Sequence, residues 1–191
     1  MNNIFVEVVA NGDKVLKFCN DYTVSSFNKT DEKTLFKTAF LNKLGRVVST
    51  AMVKIISQNT VIFVIPKENL DSLLEHLKIY AKFSRVSLEV RSLTTEFSPY
   101  FDTDYILESP MPWLNKTSVG MYTPSDLSLD VLGWVNFDKG CYLGQEVVSR
   151  MFFKFVMNST LILFKTTDDN LKILWYSSTL ILLGIVEEVL S

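Results

Sequence analysis

The chain is poor in the residues that most often carry chemistry. Among 191 residues there are two cysteines, Cys19 and Cys141, and one histidine, His76. Two thiols and one imidazole cannot by themselves furnish a four-ligand zinc site from one chain, and no Ser-His or Cys-His constellation is expected around the lone histidine. In a reducing compartment both cysteines are expected as free thiols. Arginine is scarce as well, four against a majority of lysines, and the formal net charge is −2. That balance lacks the basic footprint of a nucleic-acid binder, so direct contact with RNA or DNA is not expected. No apolar run is long enough to span a bilayer, the longest being residues 180–186, and the first residues show no basic leader followed by an apolar stretch. A cytoplasmic protein with no membrane attachment is expected.

Glycine is the third scarcity. Of seven glycines, four fall between Gly120 and Gly144, and glycine is used where backbone bends sharply or approaches something closely. Cys141 lies within this stretch, in Lys139-Gly140-Cys141-Tyr142-Leu143-Gly144-Gln145-Glu146. A thiol becomes nucleophilic or ligating as its pKa falls, and the Lys139 cation and the N-terminus of a following helix would lower it, while Asp138 and Glu146 oppose. The bland alternative is a small buried plug in a tight turn.

What is abundant is apolar: 48% of the residues, with 13% aromatic, a globular composition able to bury a core. Strands are expected over 4–9, 34–40, 46–56, 60–65 and 86–90, the second and third joined at Asn42-Lys43-Leu44-Gly45. Leu70, Leu73, Leu74, Leu77, Tyr80 and Ala81 fall at helical spacing within 69–83, and a shorter helix is expected over 11–20. The fold class is therefore α+β, a mainly antiparallel sheet with helices on one face. Residues 110–133 are punctuated by proline and glycine and read as irregular chain with one helical turn near 126–132. A helix over 145–151 and strands over 152–156, 160–165, 172–176 and 179–190 complete the expectation. His76 is expected on the solvated flank of its helix.

The octapeptide at 139–146 resembles, at every position, the signature K-G-C-[FY]-x-G-Q-E of the YgfZ family, folate-binding relatives of the glycine-cleavage aminomethyltransferase (T protein). Phe40-Leu41-Asn42-Lys43-Leu44-Gly45-Arg46-Val47-Val48 is similar to that family's F-L-x-x-x-G-R-V, and Leu107-Glu108-Ser109-Pro110-Met111-Pro112 to its L-E-A-G-x-P. The resemblance implies a T-protein-like domain over residues 1–150, with the family's middle α/β segment replaced by the connector 93–105. It also implies a shortened C-terminal β-sheet over 151–191, an incomplete barrel. It implies a folate-dependent accessory factor in assembly or repair of iron–sulfur clusters, including those of tRNA-modifying enzymes. By the same resemblance Cys141 is the functional thiol and Lys139 its partner, with Gly140, Gln145 and Glu146 shaping the setting. Tetrahydrofolate or a derivative would be held by Glu108, with Met111 beside it and Trp113 and Tyr142 available to stack; no metal ligands are implied.

Partners so implied are iron–sulfur assembly proteins or client enzymes, and the open C-terminal sheet suggests a homodimer or a docked partner. The alternatives are a folate-dependent aminomethyltransferase and a ligand-free scaffold. Transferases of this kind carry paired aspartates after the glycine turn, where this chain has Ser49 and Thr50, so a transferase reaction is not expected.

Overall fold

The computed structural model describes residues 4–27, 35–97, 111–154, 159–165 and 171–177. Strands β1 (Phe5–Asn11), β2 (Leu35–Leu41), β3 (Val47–Ser57), β4 (Thr60–Pro66) and β5 (Ser87–Ser92) form one sheet in the order β2-β3-β4-β1-β5, every neighbouring pair antiparallel. Helices α1 (Val15–Tyr22) and α2 (Leu70–Ser84) follow β1 and β4. Helix α3 (Gln145–Lys154) comes later, and β6 (Ser159–Lys165) pairs with β7 (Leu171–Ser177) in a separate two-stranded sheet. The expected α+β class and antiparallel sheet are found, and among the described residues the five-stranded sheet stays open.

Alternation along the strands decides what each face meets. Val6, Val8 and Ala10 of β1 and Val61, Phe63 and Ile65 of β4 pack with Val15, Phe18 and Cys19 of α1 and Leu73, Leu77 and Ala81 of α2. The intervening Val9, Ile62 and Val64 point the other way and are buried as well, against Met111, Leu114, Leu127, Leu129, Trp134, Tyr142 and Val148. The irregular chain at 111–142 is thus a second covering layer. Its consecutive turns close with Leu129 N–H on the Pro124 carbonyl and Trp134 N–H on that of Leu129, each satisfying backbone that burial would otherwise orphan.

Several boundaries differ from expectation for local reasons. Helix α1 starts at Val15, because β1 runs on to Asn11 and residues 12–14 turn. Residues 152–154, expected as the start of a strand, continue α3 instead; the helical spacing of Val148 and Phe152 outweighs the aromatic β-preference of Phe152, and residues 155 and 156 lie outside the described residues. The expected strand over 179–190 lies outside them too. His76 is half-buried, with its ring edge-on to Tyr80 at 5.6 Å and burial lowering its pKa, so it is not the solvated side chain expected.

Two features position the site. The β2–β3 pairing slips between Phe40 and Leu41, where β3 carries one extra residue. Residues 23–25 cover the edge of β2, with a bridge from Thr23 to Phe40 and the Val24 N–H on the Ala39 carbonyl; Asn136 N–H then donates to Val24.

Candidate functional site

The motif segment begins at an Asx turn. The Asn136 Oδ1 accepts the N–H groups of Asp138 and Lys139 at 2.9 and 2.8 Å, which aims the Lys139 side chain inward. Its ammonium donates to the carbonyls of Asn20, Thr23 and Ser25 at 2.7, 2.5 and 2.8 Å. Asn20 and Thr23 lie at the C-terminal end of α1, where unpaired carbonyls concentrate negative potential, and α1 has no basic residue of its own in its last turn. Lys139 is therefore a cap supplied from a remote segment. Burial draws its pKa down to about 7, against the opposing pull of Asp21 and Cys19. The ammonium is not directed at Cys141, as activation of that thiol by a neighbouring cation would require.

Beneath that ammonium lies the Tyr142 ring, 4.6 Å to its centroid and buried. Leu143 N–H donates to the Asp21 carbonyl at 2.9 Å, and the Gln145 Oε1 accepts the Tyr142 N–H at 3.2 Å as α3 begins. Gly140 and Cys141 bulge between the two buried anchors and are exposed. The plug alternative for Cys141 is thereby overturned. Cys19 is the opposite case: it is fully buried, and desolvation pushes its thiol pKa well up, leaving it unreactive.

The second glycine of the motif meets the hairpin turn. Gly144 has φ +82° and Gly45 φ +69°, and a Cβ on Gly144 would lie 2.6 Å from the Asn42 carbonyl oxygen and 3.0 Å from the Gly45 Cα. A Cβ on Gly45 would strike Val147 of α3 at 2.9 Å. The structure thus brings together two of the three segments on which the family resemblance rests. Gly140 differs, since a Cβ there would meet nothing within 4 Å.

Ser49 and Thr50 are wholly buried. The Thr50 hydroxyl donates to the Pro112 carbonyl at 2.7 Å, so the position where a transferase would keep its acid ties the covering layer to β3. Met111 is in the core, and Trp113 packs against Phe5 with ring centroids 4.8 Å apart. Glu146 is exposed and paired with Arg150 at 2.8 Å, a surface contact worth about 0.5 kcal/mol. Glu108 lies outside the described residues. As a folate site the described set fits poorly: Met111 and Tyr142 are buried, and the Trp113 ring already packs against Phe5. Among the described residues no cluster of three or more His, Cys, Asp or Glu could hold a metal ion, and no helix is long and apolar enough to cross a membrane.

Sequence reasoning did not find the carbonyl cage around Lys139, because backbone oxygens leave no mark on residue type. The Asn-x-x-Lys spacing of the Asx turn was its one legible sign. It also missed Glu7, fully buried on β1, which accepts from the Arg91 Nε and from both the N–H and hydroxyl of Thr94.

Comparison with known proteins yields no matching family model. Over 48 residues, 25% of the chain, it is 40% identical to the tRNA-modifying protein YgfZ of Buchnera aphidicola subsp. Schizaphis graminum. It is also 40% identical over 48 residues to that of Buchnera aphidicola subsp. Acyrthosiphon pisum and 38% to that of Klebsiella pneumoniae. Over that stretch the chain is similar to YgfZ. The match spans 15% of the length of these YgfZ relatives, so their whole-protein activity does not carry over with it. Among solved structures, glycine cleavage system aminomethyltransferase T from Bartonella henselae aligns with a TM-score of 0.44 and 10% identity, covering 46% of this chain and 24% of that one.

Proposed function

We propose that this chain is an accessory factor for iron–sulfur enzymes, including enzymes that modify tRNA, and that it acts through the Cys141 thiol on client or assembly proteins. The observation that carries this reading is the placement of Cys141: solvent-exposed, on a short bulge held at both sides by the buried Lys139 and Tyr142. A thiol so held can give up its proton and ligate iron of a cluster in transit as a thiolate, displacing a thiolate ligand of the donor and being displaced in turn by one of the recipient, with little ordering entropy left to lose. The cluster is cargo here, and its other ligands come from the partner.

Aminomethyl transfer is disfavoured, since the paired-aspartate positions hold Ser49 and Thr50, and the Thr50 hydroxyl is committed to the Pro112 carbonyl. Tetrahydrofolate or a derivative remains the ligand the resemblance implies, through Glu108 with Trp113, Gly140, Gln145 and Glu146 around it; no step of the proposed role runs through it. The burial of Met111 and Tyr142 favours, as a second reading, a factor that works by protein contacts without folate.

The test is complementation of a bacterial strain lacking its own YgfZ, scored by the product of an iron–sulfur tRNA-modifying enzyme. Wild type is expected to restore the modification and Cys141→Ala to fail at equal protein level. Equal rescue by both would discard the thiol role. A tetrahydrofolate titration followed by tryptophan fluorescence separates the two readings, a saturable change supporting folate and a flat response supporting protein contacts alone.

A further inference from the structure

Strand β5 forms one edge of the five-stranded sheet and pairs there with β1 alone. Among the described residues no strand and no backbone group pairs with its outer side, so a row of N–H and C=O groups is left for another chain. The residues that follow lead away from that edge. Thr94 turns under the sheet to Glu7 of β1, and Glu96 reaches Lys54 of β3.

Alternation divides the side chains of β5 between the two faces of the sheet. Leu88 and Val90 stand beside Ala10 and Val8 on the face that carries α1 and α2, and Val90 is 40% exposed there. Glu89 and Arg91 share the opposite face, beside Val9 and Glu7. Arg91 donates to Glu7 through its Nε, which leaves the terminal nitrogens of its fork at the surface. Glu89 is exposed, and among the described residues no cation pairs with it.

An acid and a base two residues apart on a free edge select one way of pairing with themselves. In an antiparallel pair, facing residues turn their backbone groups either both toward the seam or both away from it, and the two kinds alternate along each strand. When the facing strand is a second copy of the same strand, one residue must therefore lie on the two-fold axis opposite itself. Glu89 on the axis would oppose two carboxylates, and Arg91 two guanidinium groups. With Leu88 or Ser92 there, Glu89 and Arg91 miss each other. Only Val90 on the axis sets each Glu89 against Arg91 of the other copy, with the two valines meeting on the helix side.

We propose that β5 is the seam of a homodimer in which two five-stranded sheets join edge to edge, antiparallel, with Val90 on the two-fold axis. This seam is distinct from the C-terminal sheet expected to carry a dimer. A six-residue strand makes a small interface, so the dimer is weak and concentration-dependent. Charges on an edge strand also keep other strands away, a role that requires no partner. Charges of one sign would do so in every register, whereas this pair attracts in one.

Sedimentation equilibrium of the full chain is expected to show a concentration-dependent rise from the 21.8 kDa monomer toward twice that mass. Glu89→Lys, which leaves Arg91 on Glu7, is expected to weaken the dimer about tenfold, since two attractions become two repulsions. Added salt should weaken the wild-type dimer and tighten that of Glu89→Lys. In a Cys141→Ser background, which removes the exposed native thiol, a short bis-maleimide is expected to link Val90→Cys to itself and to leave Ser92→Cys unlinked. A monomer at every concentration, equal dimerisation of wild type and Glu89→Lys, or linkage at Ser92→Cys in place of Val90→Cys would overturn the proposal. If Glu89→Lys does not fold, the linkage pair decides alone.

Discussion

Alanine at Gly144 is expected to destabilise the fold by about 3 kcal/mol. Part of this is conformational: φ is +82°, where an L side chain crowds its own carbonyl, a penalty of about 1–2 kcal/mol. The rest is steric. The atoms a new methyl would meet are the Asn42 carbonyl oxygen at 2.6 Å and the Gly45 Cα at 3.0 Å, both backbone, so no side chain can swing aside. The hairpin turn and the motif loop would have to separate. Urea unfolding with an unchanged m-value and a lowered midpoint is the measurement. Gly140→Ala is the control, expected within about 0.5 kcal/mol of wild type because its Cβ enters open space. Equal losses at the two glycines would contradict the contact.

Lys139→Met is expected to lower stability by about 3 kcal/mol at neutral pH, because it strips the buried carbonyls of Asn20, Thr23 and Ser25 of a shared donor. Its pH dependence identifies the cause. In the unfolded chain the amine titrates near its ordinary value of 10.5, and in the fold burial brings it to about 7. Between these values the unfolded chain holds a proton that the native state lacks, so this group makes stability rise with pH from about 7 to about 10.5. Below about 7 both states are protonated and the group contributes no slope. Lys139→Met removes the rise, and the gap between the two proteins should widen as pH is raised through that window. Parallel stability profiles from pH 6 to 10 would refute the assignment.

Local signals served the sheet and helices well. Leu73, Leu77 and Ala81 announce α2 by spacing, and they are its buried residues. The turn at Asn42–Gly45 predicts the hairpin, and the Asn42 Oδ1 does accept the Leu44 and Arg46 N–H groups. What could not be read was the second layer. Residues 111–142 have no helical or alternating period, so nothing local says that they lie on the sheet. The signal lay in the strands themselves: Val6 to Ala10 and Val61 to Ile65 are apolar at nearly every position, which only burial on both faces explains, and Glu7 interrupts the first run because Arg91 and Thr94 satisfy it.

At the site, residue type singled out Cys141, Lys139 and the two glycines. Their roles depended on geometry. Lys139, expected as a charge beside the thiol, instead caps a helix, and Tyr142, expected as a stacking surface for a ligand, supports that ammonium from below. Contacts between Gly45 and Gly144 join positions far apart in sequence, where spacing carries no information.

The covering layer also shapes the order of assembly. Strands β2, β3 and β4 pair with their sequence neighbours, whereas β1 with β4 and β5, Thr50 with Pro112 and Asn20 with Lys139 close long loops whose entropy must be met before any contact rewards it. The β2–β3–β4 meander is therefore the part that loop closure favours first, with β1, β5 and the covering layer joining it afterwards. Cys141 is exposed with that layer in place, whereas Cys19 of α1 is fully buried against the sheet, so the labelling rate of Cys19 would report opening of the helix–sheet core while Cys141 labels at once.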